Sequence, residues 1–262
     1  MNRPIDPPFV VPDGWGSDEL SKFDAYASQS RFSVYSDLPE WHWVLSDIAT
    51  DMESLSLYLL SRIGDFSDVE GPLLLATSRT QFLAAASMLT SGHVLASHAI
   101  GRTVVESALY GWYLLICTGS AERWRTKPLD KTARRNWGRE FSFSALTRKL
   151  KEYDETAASI ALSLHQRAID FGGHPNVTVL GPNLHVKSVG EGQIEIRLAI
   201  LHGRSGPWVD AFELVAKSGA FAMLLFAYAF CDYEEGATAL HAAFRYMEKL
   251  KDLLDKADRE WA

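Results

Sequence analysis

Apolar residues recur at helical spacing along most of this 262-residue chain. In the clearest run they alternate at steps of four and three: Trp41, Leu45, Ile48, Met52, Leu55 and Leu59. This period predicts a long amphipathic helix that begins with Asp37 as its cap and ends near Gly64. A second helix is predicted from Pro72 to about Thr90, where Gly92 interrupts the pattern.

The segment from His93 to Cys117 is apolar on nearly every side, which predicts a helix surrounded by other helices. Its polar residues His98, Arg102 and Glu106 step by four and therefore share one stripe. Charged groups inside a protein need partners, so we expect Arg102 and Glu106 to be buried and paired. The stripe fits either an ion pair that fixes packing or one wall of a ligand site.

Alternating apolar and polar residues predict a β-hairpin at about 177–201, with a turn at Gly190–Gly192. Symmetric pairing across that turn places Lys187 opposite Glu195, a favourable cross-strand pair. Because a lone hairpin is marginally stable in water, we expect it to lie on the helices.

Two more helices are predicted, from about Pro207 to Asp232 and from Ala237 to Trp261. The predicted fold class is therefore all-α, a largely antiparallel multi-helix bundle with a small appended β-hairpin. Residues 1–36 are interpreted as an N-terminal arm, and residues 37–262 as a single helical domain that includes the hairpin.

Composition narrows the class of protein further. The net charge of −7 argues against a generally basic nucleic-acid binder, and no apolar run is long enough to predict a membrane span. The proline-rich start lacks the apolar core of a secretory signal. Cys117 and Cys231 each end an apolar run without metal spacing, which favours reduced core thiols and a cytoplasmic location.

The charge is distributed unevenly. Residues 122–151 hold ten Lys or Arg against three Asp or Glu, a local charge of +7 that leaves −14 for the rest of the chain. Such a segment, interleaved with aromatic residues, is typical of surfaces that bind RNA or another phosphate-bearing ligand. Its candidate binding residues are Arg123, Arg134 and Arg135. Alternatively, the segment neutralises acidic faces of the same molecule or of the partner in a homodimer.

Several motifs are missing from the sequence. It contains no His-Glu-x-x-His and no Cys/His cluster, so we predict no metal and no cofactor. It also lacks a Gly-x-Ser-x-Gly elbow, a Walker loop and a Gly-x-Gly-x-x-Gly turn, which argues against serine hydrolases and dinucleotide-binding proteins.

Arg167 and His174 are separated by six residues at the end of a predicted helix. This spacing resembles the Arg-x4-6-His motif of the HEPN superfamily, all-helical and often dimeric bacterial proteins, many of which cleave RNA. The resemblance implies metal-independent cleavage, with His174 as general acid/base and Arg167 stabilising the phosphorane charge. The sequence departs from the family at Ala168, where a polar residue is common, and at the Gly172-Gly173 pair.

A broader likeness extends from Leu89 to His174. The Arg102-x-x-x-Glu106 helix, the Arg123-Trp124 pair and the His174-Pro175 turn resemble bacterial all-helical families of unknown function. That resemblance implies a fold and no activity.

The leading hypothesis is a cytosolic bacterial protein that binds RNA or another phosphate-bearing ligand, with HEPN-like cleavage as its catalytic form. One rival is a non-catalytic helical interaction module. Another is a small-molecule sensor with a pocket lined by His98, Arg102, Trp112 and Tyr113.

Overall fold

A computed structural model describes residues 11–173, 181, 183–190 and 193–261. Within these residues the chain forms ten α-helices, with a short 3-10 turn at Ile63–Asp65 and a π-helical turn at Ile169–Gly173. In chain order the helices are α1 (Glu19–Asp37), α2 (Pro39–Ser61), α3 (Glu70–Thr90), α4 (Val94–Ile116), α5 (Ser120–Arg125), α6 (Lys131–Glu140), α7 (Phe143–Tyr153), α8 (Glu155–Ala168), α9 (Gly206–Ala229) and α10 (Glu234–Trp261).

Between α8 and α9 lies an antiparallel hairpin of β1 (Leu184–Gly190) and β2 (Gln193–Leu198). Lys187 faces Glu195 across the two strands, so the predicted register is confirmed. The predicted fold class, a helical bundle with a small hairpin, is confirmed as well.

The seam of α2 packs into the core as its period predicted: Trp41, Leu45, Ile48, Met52 and Leu59 are all buried. The predicted cap is wrong, however. Asp37 ends α1, and Leu38 precedes α2 without a side-chain cap bond. Pro39 supplies the start instead, because its fixed φ suits the first helical turn and its missing N–H needs no partner there. Residues 19–37, assigned to the N-terminal arm, form helix α1.

Helix α4 lies at the centre of the bundle and packs most extensively against α3 and α9. Two glycines allow its close approach to α3. A Cβ atom on Gly111 would lie 2.8 Å from the Leu75 nitrogen and 2.9 Å from the Gly71 carbonyl oxygen. On the side of α4 that faces α9, a Cβ atom on Gly101 would lie 2.6 Å from Leu214 Cδ2. Small residues on α4 therefore set the spacing of three helices.

The hairpin was expected to lie on the helices, but the described helices do not cover its sheet. Its described apolar side chains remain exposed, from 39% at Leu184 to 65% at Ile194. The bundle holds the hairpin at its base, where the His202 backbone N–H donates to the Gly92 carbonyl oxygen at 2.9 Å. This backbone contact fixes the position of the loop after β2 without covering the sheet.

One cysteine also departs from its prediction. Both cysteines are free, but only Cys117 is partly buried, whereas Cys231 is exposed just beyond the end of α9. The apolar run that ends at Cys231 is therefore not buried over its whole length.

Among the described residues, no helix has both the length and the hydropathy needed to cross a membrane.

The glycine contact between α3 and α4 yields a test of the packing. We expect Gly111→Ala to lower the free energy of unfolding by about 1–3 kcal/mol, because the added methyl meets backbone atoms that cannot move aside. Gly138→Ala is the control. Open space surrounds that position in α6, so the same substitution should raise stability by about 0.5–1 kcal/mol. Urea unfolding measures both changes, and equal effects at the two sites would contradict the packing argument.

Candidate functional site

The polar stripe of α4 contacts a histidine of α8. Arg102 Nε donates to Glu106 Oε1 at 2.7 Å, and His165 Nε2 lies 3.0 Å from the same oxygen. The ring of Phe143, from α7, stacks on the His165 ring with centroids 3.7 Å apart. Glu106 thus joins two helices through one carboxylate oxygen. His165 was not singled out in the sequence, since nothing along the chain indicates that α8 crosses α4 at this point.

The expected pairing of Arg102 and Glu106 is confirmed, but their expected burial is wrong. Their side chains retain 32% and 29% of their exposure. The stripe emerges at the surface beside α8, so solvent satisfies part of each charged group. The pair is consequently worth less than a fully buried one.

The Glu106 carboxyl is ionised at neutral pH. Partial burial opposes ionisation, but the hydrogen bonds from His165 and Arg102 outweigh it and hold the Glu106 pKa below its ordinary value. The carboxylate therefore serves as a fixed acceptor and not as a proton donor near neutrality.

His98 lies on the buried part of the stripe, only 1% exposed. Its Nδ1 is 2.9 Å from the Val94 carbonyl oxygen, and burial lowers the pKa of the imidazole. The neutral ring therefore donates through Nδ1, and Nε2 is left as a buried acceptor without a hydrogen-bond partner among the described residues. The ring also contacts Phe171 in the π-helical turn, with centroids 5.4 Å apart.

Arg167, the arginine of the HEPN-like pair, is held by acids of α9. Its guanidinium lies 2.8 Å from Asp210 Oδ1 and 2.6 Å from Glu213 Oε2. Glu213 also accepts from Lys217, and these bonds outweigh burial to keep the Glu213 pKa below its ordinary value. Two cations and two carboxylates balance within this cluster. His174, the predicted general acid/base, lies outside the described residues.

The basic segment divides into arginines with acidic partners and arginines without them. Arg123 pairs with Glu140 at 2.8 Å, and Arg125 pairs with Asp68 at 2.8 Å and with Glu70 at 3.3 Å. These two arginines join α5 to α6 and to the start of α3, so they neutralise acids of the same molecule, as the alternative interpretation proposed.

Four other cations of the segment lie on one face of α6. Lys131, Arg134, Arg135 and Arg139 are exposed and form no ion pair with any described carboxylate. At 100° per residue they fall within an arc of about 140°, and they span about 12 Å along the helix axis. We call these four residues the basic face.

The opposite side of α6 attaches the helix to the bundle. Trp137 Nε1 donates to the Arg123 carbonyl oxygen at 2.9 Å, and the ring packs against Phe141 with centroids 5.3 Å apart. Lys127 lies over the Trp137 ring at 4.7 Å. Because Trp137 is committed to these contacts, it is not available to stack on the bases of a nucleic acid.

The residues of the hypothetical sensor pocket do not meet. His98 and Tyr113 are separated by about 22 Å along α4, and the Trp112 ring packs against Tyr153 instead. In the part of the chain that the structure describes, no three His, Cys, Asp or Glu side chains come close enough to hold a metal ion.

The carboxylate junction at Glu106 can be tested by pH. Its pKa is lower in the folded protein than the ordinary 4.5, so its stabilisation is present above that pH and is lost as the pH falls through the folded-state pKa. We expect Glu106→Gln to cost about 1–2 kcal/mol of unfolding free energy at pH 7, through two weakened charge-assisted bonds. The difference from wild type should vanish in acid.

Urea unfolding at several pH values measures this effect. Glu155→Gln is the control, because Lys151 is the ion-pair partner of Glu155 among the described residues, both lie on the open surface, and the loss of this pair should hardly matter at either pH. If Glu106→Gln still lowered the unfolding free energy in acid, the side-chain shape of Glu106, and not its charge, would account for the stabilisation.

Comparisons of the chain with protein-family models, with curated protein sequences and with solved structures gave no match.

Proposed function

We propose that the protein binds the phosphate backbone of single-stranded RNA through the basic face of α6. The observation that carries this proposal is the absence of any described carboxylate paired with Lys131, Arg134, Arg135 or Arg139, although the chain as a whole is acidic. Clustered cations gain free energy when they neutralise phosphates, because the condensed counterions of the nucleic acid are released.

The form of the basic face favours backbone binding over sequence recognition. Its four cations extend along one helix for about two turns, which allows contact with successive phosphates of one strand. The nearby Trp137 and Phe141 pack against the bundle, so base stacking adds little. We therefore expect weak binding with little sequence preference and a dissociation constant of roughly 1–100 µM.

Fluorescence anisotropy with a labelled single-stranded RNA tests the proposal. Arg134→Glu with Arg135→Glu should weaken binding at least about tenfold, because both charges at the centre of the face are reversed. Lys251→Glu with Arg259→Glu is the matched control. Those cations of α10 are also exposed, and the net charge changes equally. Equal losses in both double variants would mean that overall charge, and not the basic face, governs binding.

Salt dependence gives a second readout. Four neutralised phosphates predict a slope of about −3 in a plot of log affinity against log salt concentration, and the Arg134→Glu, Arg135→Glu variant should reduce its steepness by at least about 1. A DNA strand of the same sequence, run in parallel, separates a contribution of the ribose hydroxyls from the shared phosphate chemistry.

RNA cleavage through Arg167 and His174 stays a prediction. Arg167 already neutralises two carboxylates, so the proposal rests on binding and not on cleavage. Incubation of the wild type and of His174→Ala with RNA in the presence of EDTA tests it: the HEPN-like hypothesis expects a loss of about 10²–10⁴-fold in the variant with an unchanged thermal melt. An inactive wild type would end that hypothesis and leave binding unaffected.

A further inference from the structure

One face of the hairpin is apolar, and none of the residues that the structure describes covers it. Leu184 pairs with Leu198 across the strands, and Val186 pairs with Ile196. The exposed fractions of Val186, Ile196 and Leu198 are 57%, 59% and 63%. Ile194 and Ile200 continue the same row, both exposed, at either end of β2. We call these six residues the hairpin's apolar face.

The other face of the same two strands is polar at its described side chains. It carries Lys187, Glu195 and Arg197, and Arg197 Nε donates to Glu195 Oε1 at 2.8 Å. A two-stranded sheet with one polar and one apolar side is built to have its apolar side covered, because an isolated hairpin is only marginally stable in water. Contiguous apolar patches of this kind mark sites of association.

We propose that the hairpin's apolar face pairs with the same face of a second copy of this chain. Its six side chains include no ionisable group, so two copies with a net charge of −7 can meet there without placing like charges in contact. A two-fold axis lying in the interface, between the two sheets, would set the central Val186–Ile196 pair against its equivalent, which is the self-complementary arrangement that closed dimers require.

The apolar area of the face reaches that of the smallest stable dimer interfaces. Aliphatic residues with these exposures leave on the order of 600 Å² on each copy, so two copies would bury at most about 1,200 Å² through this face alone, the lower limit of a stable specific interface. At and just beyond the end of β2, Leu198 and Ile200 also line a cleft of about 790 Å³, and Phe23 and Tyr26 of α1 form part of its other wall. The apolar surface therefore extends onto α1, which enlarges the area available to the partner.

Sedimentation velocity across a concentration series tests the dimer. We expect the wild type to have twice the mass of one chain at tens of micromolar. Val186→Thr with Ile196→Thr should raise the dimer dissociation constant at least about tenfold, because threonine keeps the β-branched shape while adding a polar group to an apolar contact. Ile196→Lys should leave only monomer.

The matched control is Lys187→Thr with Glu195→Thr, two substitutions to the same residue type on the opposite face of the same strands, with no change in net charge. It should remain dimeric. Thermal melts and circular dichroism identify any variant that fails to fold. A non-reducing gel gives independent evidence, because Ile196→Cys in a chain without Cys117 and Cys231 should form a cross-linked dimer on oxidation.

Other results would overturn the proposal. A wild type that stays monomeric at about 200 µM would exclude a second copy as the cover, and an apolar molecule co-purifying with that monomer would identify a ligand in its place. A dimer that dissociates as the salt rises from about 0.05 to about 0.5 M would instead assign the interface to the basic face. The proposal would also be rejected if the two double threonine variants, one on each face, weakened dimerisation equally.

Discussion

The close approach of α3 to α4 is the constraint on which the bundle depends. At Gly71 and Gly111 the two helices meet backbone to backbone, with no room for a Cβ atom on either residue. Glycines also leave room for neighbouring side chains, for Leu214 of α9 at Gly101 of α4 and for Ile48 and Phe82 at Gly219 of α9. Helices at such short distances bury large areas of α4, and its polar stripe emerges from the core beside α8.

That route explains how the polar groups of α4 are satisfied. His98 remains inside as a neutral ring, while Arg102 and Glu106 lie near enough to the surface to keep their charges. Helix α8 then supplies a hydrogen-bond donor to carboxylates on each of two sides, with His165 directed to Glu106 and Arg167 directed to the acids of α9. These two polar clusters are neutralised within the bundle, whereas the basic face of α6 has no described carboxylate as a partner.

The sequence predicts features set by neighbouring residues better than contacts between residues far apart in the chain. The α2 seam and the Lys187–Glu195 register follow from periods of a few residues, and both were predictable. The partnership of Glu106 with His165 joins residues 59 positions apart, and no short-range signal encodes it. Burial of the Arg102–Glu106 pair was predicted wrongly because hydrophobicity around a helix does not reveal which neighbour stops short of covering it. The division of the basic segment into paired and unpaired arginines likewise depends on acids of α3 and α6.

Helix α6 contributes no fully buried residue of its own and is anchored to the bundle mainly through the half-buried Trp137. Its outward positions are consequently decoupled from the core. Over evolutionary time, cations there can be gained, lost or exchanged for other polar residues without a compensating change in the packing of α3, α4 and α9. The fold thus separates the residues that determine its architecture from those that determine which ligands it binds. Related chains with the same bundle could therefore carry quite different surface residues on this one helix.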